Sequence, residues 1–135
     1  KGFNELSIVG RLLIPRVGSG TMIDVGAQFG ESFARFAYAD WKIYAYEPDP
    51  NPSKWKSLNE FMRMKNVMIQ KLALADIGGG SVPFYSSKES TGVSSLHPFL
   101  SSHRIVEKVD VTTLENELNC HKIKTIPGRA VQMRA

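Results

Sequence analysis

Apolar residues fall in short dense runs separated by polar punctuation, the layout of alternating strands and helices. Residues 21–25 and Lys42–Tyr46 are too uniformly apolar for surface positions and predict buried parallel strands. Between them, residues 31–39 predict a helix that buries Phe33, Phe36 and Ala37, entered through a glycine-containing turn. Asn51 is placed to cap the next helix. Pro52 sits in its first turn, where no amide proton is needed, and Trp55, Leu58, Phe61 and Met62 share one face. Residues 67–74 predict a third strand. Gly78, Gly79 and Gly80 predict a turn into an antiparallel strand over 81–86, with Val82 and Phe84 on one face. The serine-rich stretch 87–104, containing His97 and Pro98, reads as a loop long enough to be functional. A strand over 105–111 follows, then a capping box of Thr112 and Glu115 opening a short helix to Leu118. At the two ends, residues 3–14 read as a short amphipathic helix that Pro15 and the Gly18-Ser19-Gly20 cluster terminate. Residues 123–126 begin a strand that Pro127 and Gly128 stop.

This alternation predicts an α/β fold, a mostly parallel sheet with helices on both faces. At 135 residues the chain is one domain, or part of one, with enough length for a core. Composition changes the picture little: 42% hydrophobic and 22% charged residues describe an ordinary globular chain. The basic residues behind the net charge of +4 are scattered, though much of the excess lies beyond position 120, so no nucleic-acid partner is expected. No apolar run approaches the roughly 20 residues that cross a bilayer, and no membrane partner is expected. A single cysteine, Cys120, excludes an internal disulfide and fits a reducing, cytoplasmic setting. Cys120 and His121 are adjacent without further ligand partners, so no metal site is expected.

The chemistry concentrates where the first two strands end. Met22-Ile23-Asp24-Val25-Gly26-Ala27-Gln28-Phe29-Gly30 runs from strand into glycine turn, and Glu47 ends the second strand 21 positions after Gly26. In a β-α-β unit, glycines let the backbone approach an adenosine-containing ligand, and a carboxylate at the second strand end accepts from ribose hydroxyls. Dinucleotide sites use G-x-G-x-x-G to receive a pyrophosphate at a helix N-terminus. Here Gln28 replaces the middle glycine, and Asp24 is expected at the mouth of the site, where its charge repels pyrophosphate and suits an ammonium and a sulfonium. S-adenosylmethionine is such a ligand. A nicotinamide-dependent oxidoreductase is the rival that Asp24 and Gln28 argue against.

These residues resemble the FkbM-type S-adenosylmethionine-dependent methyltransferases over residues 21–118. Asp24-Val25-Gly26-Ala27 with Gly30 is similar to the family's D-V-G-A-N-x-G, with Gln28 for the usual asparagine. Tyr46-Glu47-Pro48-Asp49-Pro50 is similar to F-E-P-x-P, and Ala73-Leu74-Ala75-Asp76 followed by Gly79 to A-L-S-D-x-x-G. Thr91-Gly92-Val93-Ser94-Ser95-Leu96 resembles a loop motif ending in S-S-L, and Val111-Thr112-Thr113-Leu114-Glu115 resembles V-T-T-L-D. The resemblance implies a Rossmann-like class I methyltransferase fold and S-adenosylmethionine as cofactor. It implies that Gly26, Ala27 and Gly30 carry the backbone around the methionine part, that Asp24 supports that turn, and that Glu47 accepts both ribose hydroxyls. Asp76 would accept from the adenine amino group, with a turn-forming role as its plainer alternative, and the Ala75 amide would donate to a ring nitrogen. Replacing Glu47 is accordingly expected to weaken ligand binding while leaving the fold intact.

The implied reaction is O-methylation of a small molecule or sugar hydroxyl, which needs the acceptor aligned and its proton removed. His97 and His103 are candidate bases, and Ser94 and Ser95 candidate pocket residues, with no catalytic residue assigned. After V-T-T-L-D the family runs into a strand resembling I-K-I-D-x-E-G, whereas Lys122-Ile123-Lys124-Thr125-Ile126 leads into Pro127-Gly128, and no acid follows Glu117. The expectation is one partial domain over residues 1–135, a cofactor-binding half at 21–118 and a divergent tail at 119–135. The sheet would then be incomplete at its C-terminal side, and methyl transfer weak or absent. A catalytically inactive S-adenosylmethionine-binding fragment is therefore a second reading.

Overall fold

A computed structural model describes residues 5–87, 103–123 and 130–134. The described chain runs α1 (Glu5–Val17), β1 (Gly20–Val25), α2 (Glu31–Tyr38), β2 (Lys42–Tyr46), α3 (Pro52–Phe61), β3 (Val67–Gln70) and β4 (Ala73–Leu74). It continues through β5 (Ser81–Ser87), β6 (His103–Thr112), α4 (Leu114–Cys120) and β7 (Ala130–Arg134). Four strands form a parallel sheet in the order β3-β2-β1-β7. A second sheet, β4-β6-β5, has β4 parallel and β5 antiparallel to β6. This is an α/β arrangement compatible with a Rossmann-like fold.

Alternation along β1 and β2 explains how the main sheet is covered on both faces. Met22, Ile43 and Ala45 pack with Phe33, Phe36 and Ala37 of α2, Leu58 of α3, and Leu13 and Ile14 of α1. Ile23, Tyr44 and Tyr46 take the opposite face with Leu114 and Leu118 of α4. A smaller cluster of Ala73, Phe84, Val109 and Val111 holds the second sheet. Pro83 lies in β5, an edge strand, where a missing amide proton costs no ladder bond on the open side.

The boundaries depart from the sequence reading in four places. Pro15 lies inside α1, which ends at Val17, where Gly18 adopts φ 76° and its amide donates to the Ile14 carbonyl at 2.9 Å. A left-handed glycine of this kind terminates helices by satisfying a late carbonyl, so the stop is set by Gly18. The expected strand over 67–74 is two strands: β3 pairs with β2, whereas β4 pairs with β6 in the other sheet. The cap of α4 is Thr113, whose hydroxyl accepts from the Asn116 amide at 3.1 Å, because Thr112 is still in the β6 ladder. The tail also supplies a strand that was not expected: β7 pairs in parallel with β1 along Gly20 to Asp24. Ile123 is not in a strand, and the remainder of the expected strand at 123–126 lies outside the described residues.

Candidate functional site

The carboxyl ends of β1 and β2 are adjacent and in register, Val25 opposite Tyr46. The chain therefore delivers the glycine turn and Glu47 to the same edge of the sheet, where open α/β sheets bind ligands. Gly26 turns the chain at φ 77°, and an added Cβ there would meet nothing within 4 Å. Its demand for glycine is conformational, and the space beside it is open. Gly30 is different: at φ 85° it precedes α2, and a Cβ would come within 2.8 Å of the Phe61 ring and 3.0 Å of Phe33. It allows α2 to pack closely on α3, a packing role that the sequence reading did not give it.

The turn is anchored inward. The Gly26 and Ala27 amides donate to the Tyr46 carbonyl at 2.8 and 3.0 Å, and the Gln28 amide donates to Glu47 Oε2 at 2.6 Å. Gln28 holds φ 55°, a conformation that costs a non-glycine residue about 1–3 kcal/mol and that this hydrogen bond sustains. Three successive amides thus point into the protein rather than outward as an anion cradle.

Glu47 is buried, with 3% of its surface exposed. Its second oxygen, Oε1, accepts from the Asp49 amide at 2.8 Å, and its own amide donates to the Gln70 carbonyl of β3 at 3.0 Å. Burial raises its carboxyl above the usual carboxylate range, opposed by the Asp49 amide, the Lys54 charge and the Gln28 amide. Beneath it lies a fully buried ion pair, Lys54 Nζ to Asp49 Oδ2 at 2.6 Å. Asp49 also accepts from the Asn51 amide at 3.0 Å, and its carbonyl takes the Trp55 indole proton at 2.7 Å.

Asp24 lies in β1 with 0% exposure and accepts from the Ser32 hydroxyl in the first turn of α2. Its expected place at an open pocket mouth is therefore corrected. It ties strand to helix under the turn, because its position in β1 faces α2 rather than solvent. Asp76 is exposed, just after β4, beside Ile77 at 85% exposure. The Ala75 amide donates to the Thr112 carbonyl at 3.0 Å, continuing the β4–β6 ladder, so it is already engaged and does not offer the expected donor. Ser94, Ser95 and His97 lie outside the described residues, and His103 begins β6.

Sequence reasoning did not find two further clusters. One is the Lys54–Asp49 pair; the only signal was a lysine in the first turn of an otherwise apolar-faced helix, five positions after an aspartate. The other lies under α4, where Glu117 Oε2 accepts from Tyr46 Oη at 3.0 Å and from Gln70 at 3.3 Å. His121 Nε2 is 3.1 Å from that oxygen and 2.9 Å from Gln70 Nε2, and its ring packs on Tyr44 at 5.0 Å. Burial, and then the bond to Glu117, push the Tyr46 phenol above its ordinary range. The Glu117/His121 spacing of one helical turn was legible, but not that β2 and β3 supply its partners. Among the described residues no cluster suited to a metal ion is present, and no helix is long and apolar enough to cross a membrane.

Comparison with protein-family models, with curated proteins and with solved structures gave no match.

Proposed function

We propose that this chain binds S-adenosylmethionine on a Rossmann-like class I methyltransferase fold and belongs to an O-methyltransferase acting on a small molecule or sugar hydroxyl. The observation that carries this reading is the junction of Glu47 with the glycine turn. A carboxylate at the end of β2 grips the Gln28 amide at 2.6 Å, beside the open face of Gly26. Each Glu47 oxygen accepts one backbone amide and retains lone-pair capacity for a ribose hydroxyl. Because Glu47 is almost covered, ribose contact requires the turn or the 48–51 segment to part from it.

The inward amides of Gly26, Ala27 and Gln28 favour a sulfonium nucleoside over a dinucleotide, since pyrophosphate binding needs outward N–H groups. When bound, the cofactor supplies an electrophilic methyl group on sulfur. The chain's part is to hold the nucleoside at Glu47 and the turn, exclude water, and align an acceptor oxygen. Asp76, exposed at the end of β4, is the proposed contact for the adenine amino group. A cytoplasmic setting belongs to the same proposal, with Cys120 an exposed free thiol.

The test is calorimetric titration with S-adenosylhomocysteine, and separately with NAD. S-adenosylhomocysteine is expected to bind, and Glu47→Gln to weaken it more than about tenfold, the worth of a charge-assisted hydrogen bond. Tighter binding of NAD, or equal affinity in the Glu47→Gln variant, would reject the assignment.

A further inference from the structure

Lys54 has 1% of its surface exposed, on a helix whose other buried residue is Leu58. Burying an ammonium is costly unless its partner is close, and an apolar pair of similar volume often does the same structural work better. If Lys54 served only to brace the loop before α3, a neutral side chain would suffice. The loop already has the Asn51 amide on Asp49 Oδ1 and the Trp55 indole on the Asp49 carbonyl. What a neutral residue cannot replace is the charge.

Two buried carboxylates lie two positions apart here, and the Asp49 backbone amide donates to Glu47 Oε1 at 2.8 Å. Carboxylates placed together in a dry site do not both ionise readily without a cation. Among the described residues, Glu47 is bonded by the Gln28 amide from the turn and the Asp49 amide from its own loop, its own amide bonds the Gln70 carbonyl, and the Lys54 and Asp49 charges act on it. We propose that Lys54 is a positioning residue: its buried ammonium balances Asp49 and Glu47 together and keeps Glu47 a hydrogen-bond acceptor for a ligand carrying a vicinal diol. The identity of that ligand rests on the S-adenosyl reading above; the charge balance does not. Burial raises the Glu47 carboxyl and the Asp49 charge adds to that rise, while the Lys54 charge opposes it.

The experiment follows the Glu47 carboxyl directly by carbon-detected NMR titration of the whole chain in three forms: wild type, Lys54→Met, and Asp49→Asn with Lys54→Met. The double variant leaves no buried charge of the pair without its partner, which protects the fold if the single variant fails. The Glu47 midpoint should rise by about one pH unit or more in Lys54→Met, and by less but still upward in the double variant. In parallel, S-adenosylhomocysteine affinity in the Lys54-replaced chains should fall about tenfold between pH 8.5 and pH 6, against roughly threefold or less in wild type. A Glu47 midpoint unchanged in both variants, with ligand binding weakened equally at every pH, would reduce Lys54 to a structural brace and overturn the proposal. Failure of wild type to bind S-adenosylhomocysteine would instead reject the ligand assignment, and the NMR titration would still decide the role of Lys54.

Discussion

Removing the Glu47 side chain leaves the half-buried Gln28 amide and the buried Asp49 amide, now bonded at 2.6 and 2.8 Å, without those acceptors. A fully buried donor so orphaned costs about 1–3 kcal/mol, and a half-buried one less. Glu47→Ala should therefore destabilise the chain measurably in urea, which revises the expectation that this substitution leaves the fold intact. The direction of the Glu47 shift adds a pH signature. Its folded-state value lies above the ordinary 4.5, so the native chain binds that proton more tightly than the unfolded one. The associated stability is complete below pH 4.5 and is lost as pH rises through the folded value. Wild type should thus lose stability relative to Glu47→Gln as pH rises from about 4.5, a trend that paired denaturant curves across pH would reveal or refute. The glycines offer a second contrast. Gly26→Ala meets open space and costs only the left-handed conformation, about 1–2 kcal/mol. Gly30→Ala adds a 2.8 Å collision with Phe61, a further overpacking cost of about 1–3 kcal/mol. Thermal unfolding should rank Gly30→Ala as the more damaging.

At the scale of single elements, α4 gives the clearest test. Its start is set by the Thr113 hydroxyl on the Asn116 amide, so Thr113→Ala should cost about 1 kcal/mol, while Thr112→Ala removes no cap. Equal losses in the two variants would return the cap to Thr112. The same helix is held to the sheet by polar as well as apolar contacts. Tyr46→Phe withdraws the donor 3.0 Å from buried Glu117 and should cost roughly 1–3 kcal/mol, since an acceptor is left short in a covered site. A loss no larger than that of a solvent-exposed tyrosine would show that Gln70 and His121 satisfy Glu117 unaided.

For the whole molecule, the decisive feature is β7. It pairs with β1 on the side away from β2, which makes β1 an interior strand of a four-stranded sheet. A chain ending at Arg129 would leave the row of β1 backbone groups unpaired, an invitation to edge-to-edge association. That chain is expected to melt at least roughly 5 °C lower and to associate in size-exclusion chromatography. An unchanged melting temperature and elution would mean that β7 adds nothing to the sheet.

Several features of this fold were readable from the sequence because their causes are local. Dense apolar runs at β1 and β2, a glycine turn between strand and helix, and the Asn51–Pro52 start of α3 each follow from side-chain pattern and backbone preference within a few residues. The meeting of Glu47 with the glycine turn was legible too, since a β-α-β unit brings two adjacent strand ends together. Partnership across the chain was not legible. Nothing near residue 70 indicates that Leu72 separates strands of two different sheets, because pairing depends on which neighbour offers free amides. Pro127 and Gly128 argued against a further strand locally, yet Ala130–Arg134 adds a strand to the sheet, since pairing with β1 outweighs the composition of the approach. Asp24, expected at the mouth of the site, and Lys54, which the sequence did not single out, are both buried, because only the assembled fold places Ser32 over one and Asp49 beside the other. The sequence by itself determined the strand-turn-helix-strand unit and the residues at its carboxyl edge. The tertiary structure alone decided which of those residues face open space, which are already engaged by their own backbone, and which buried charges balance one another.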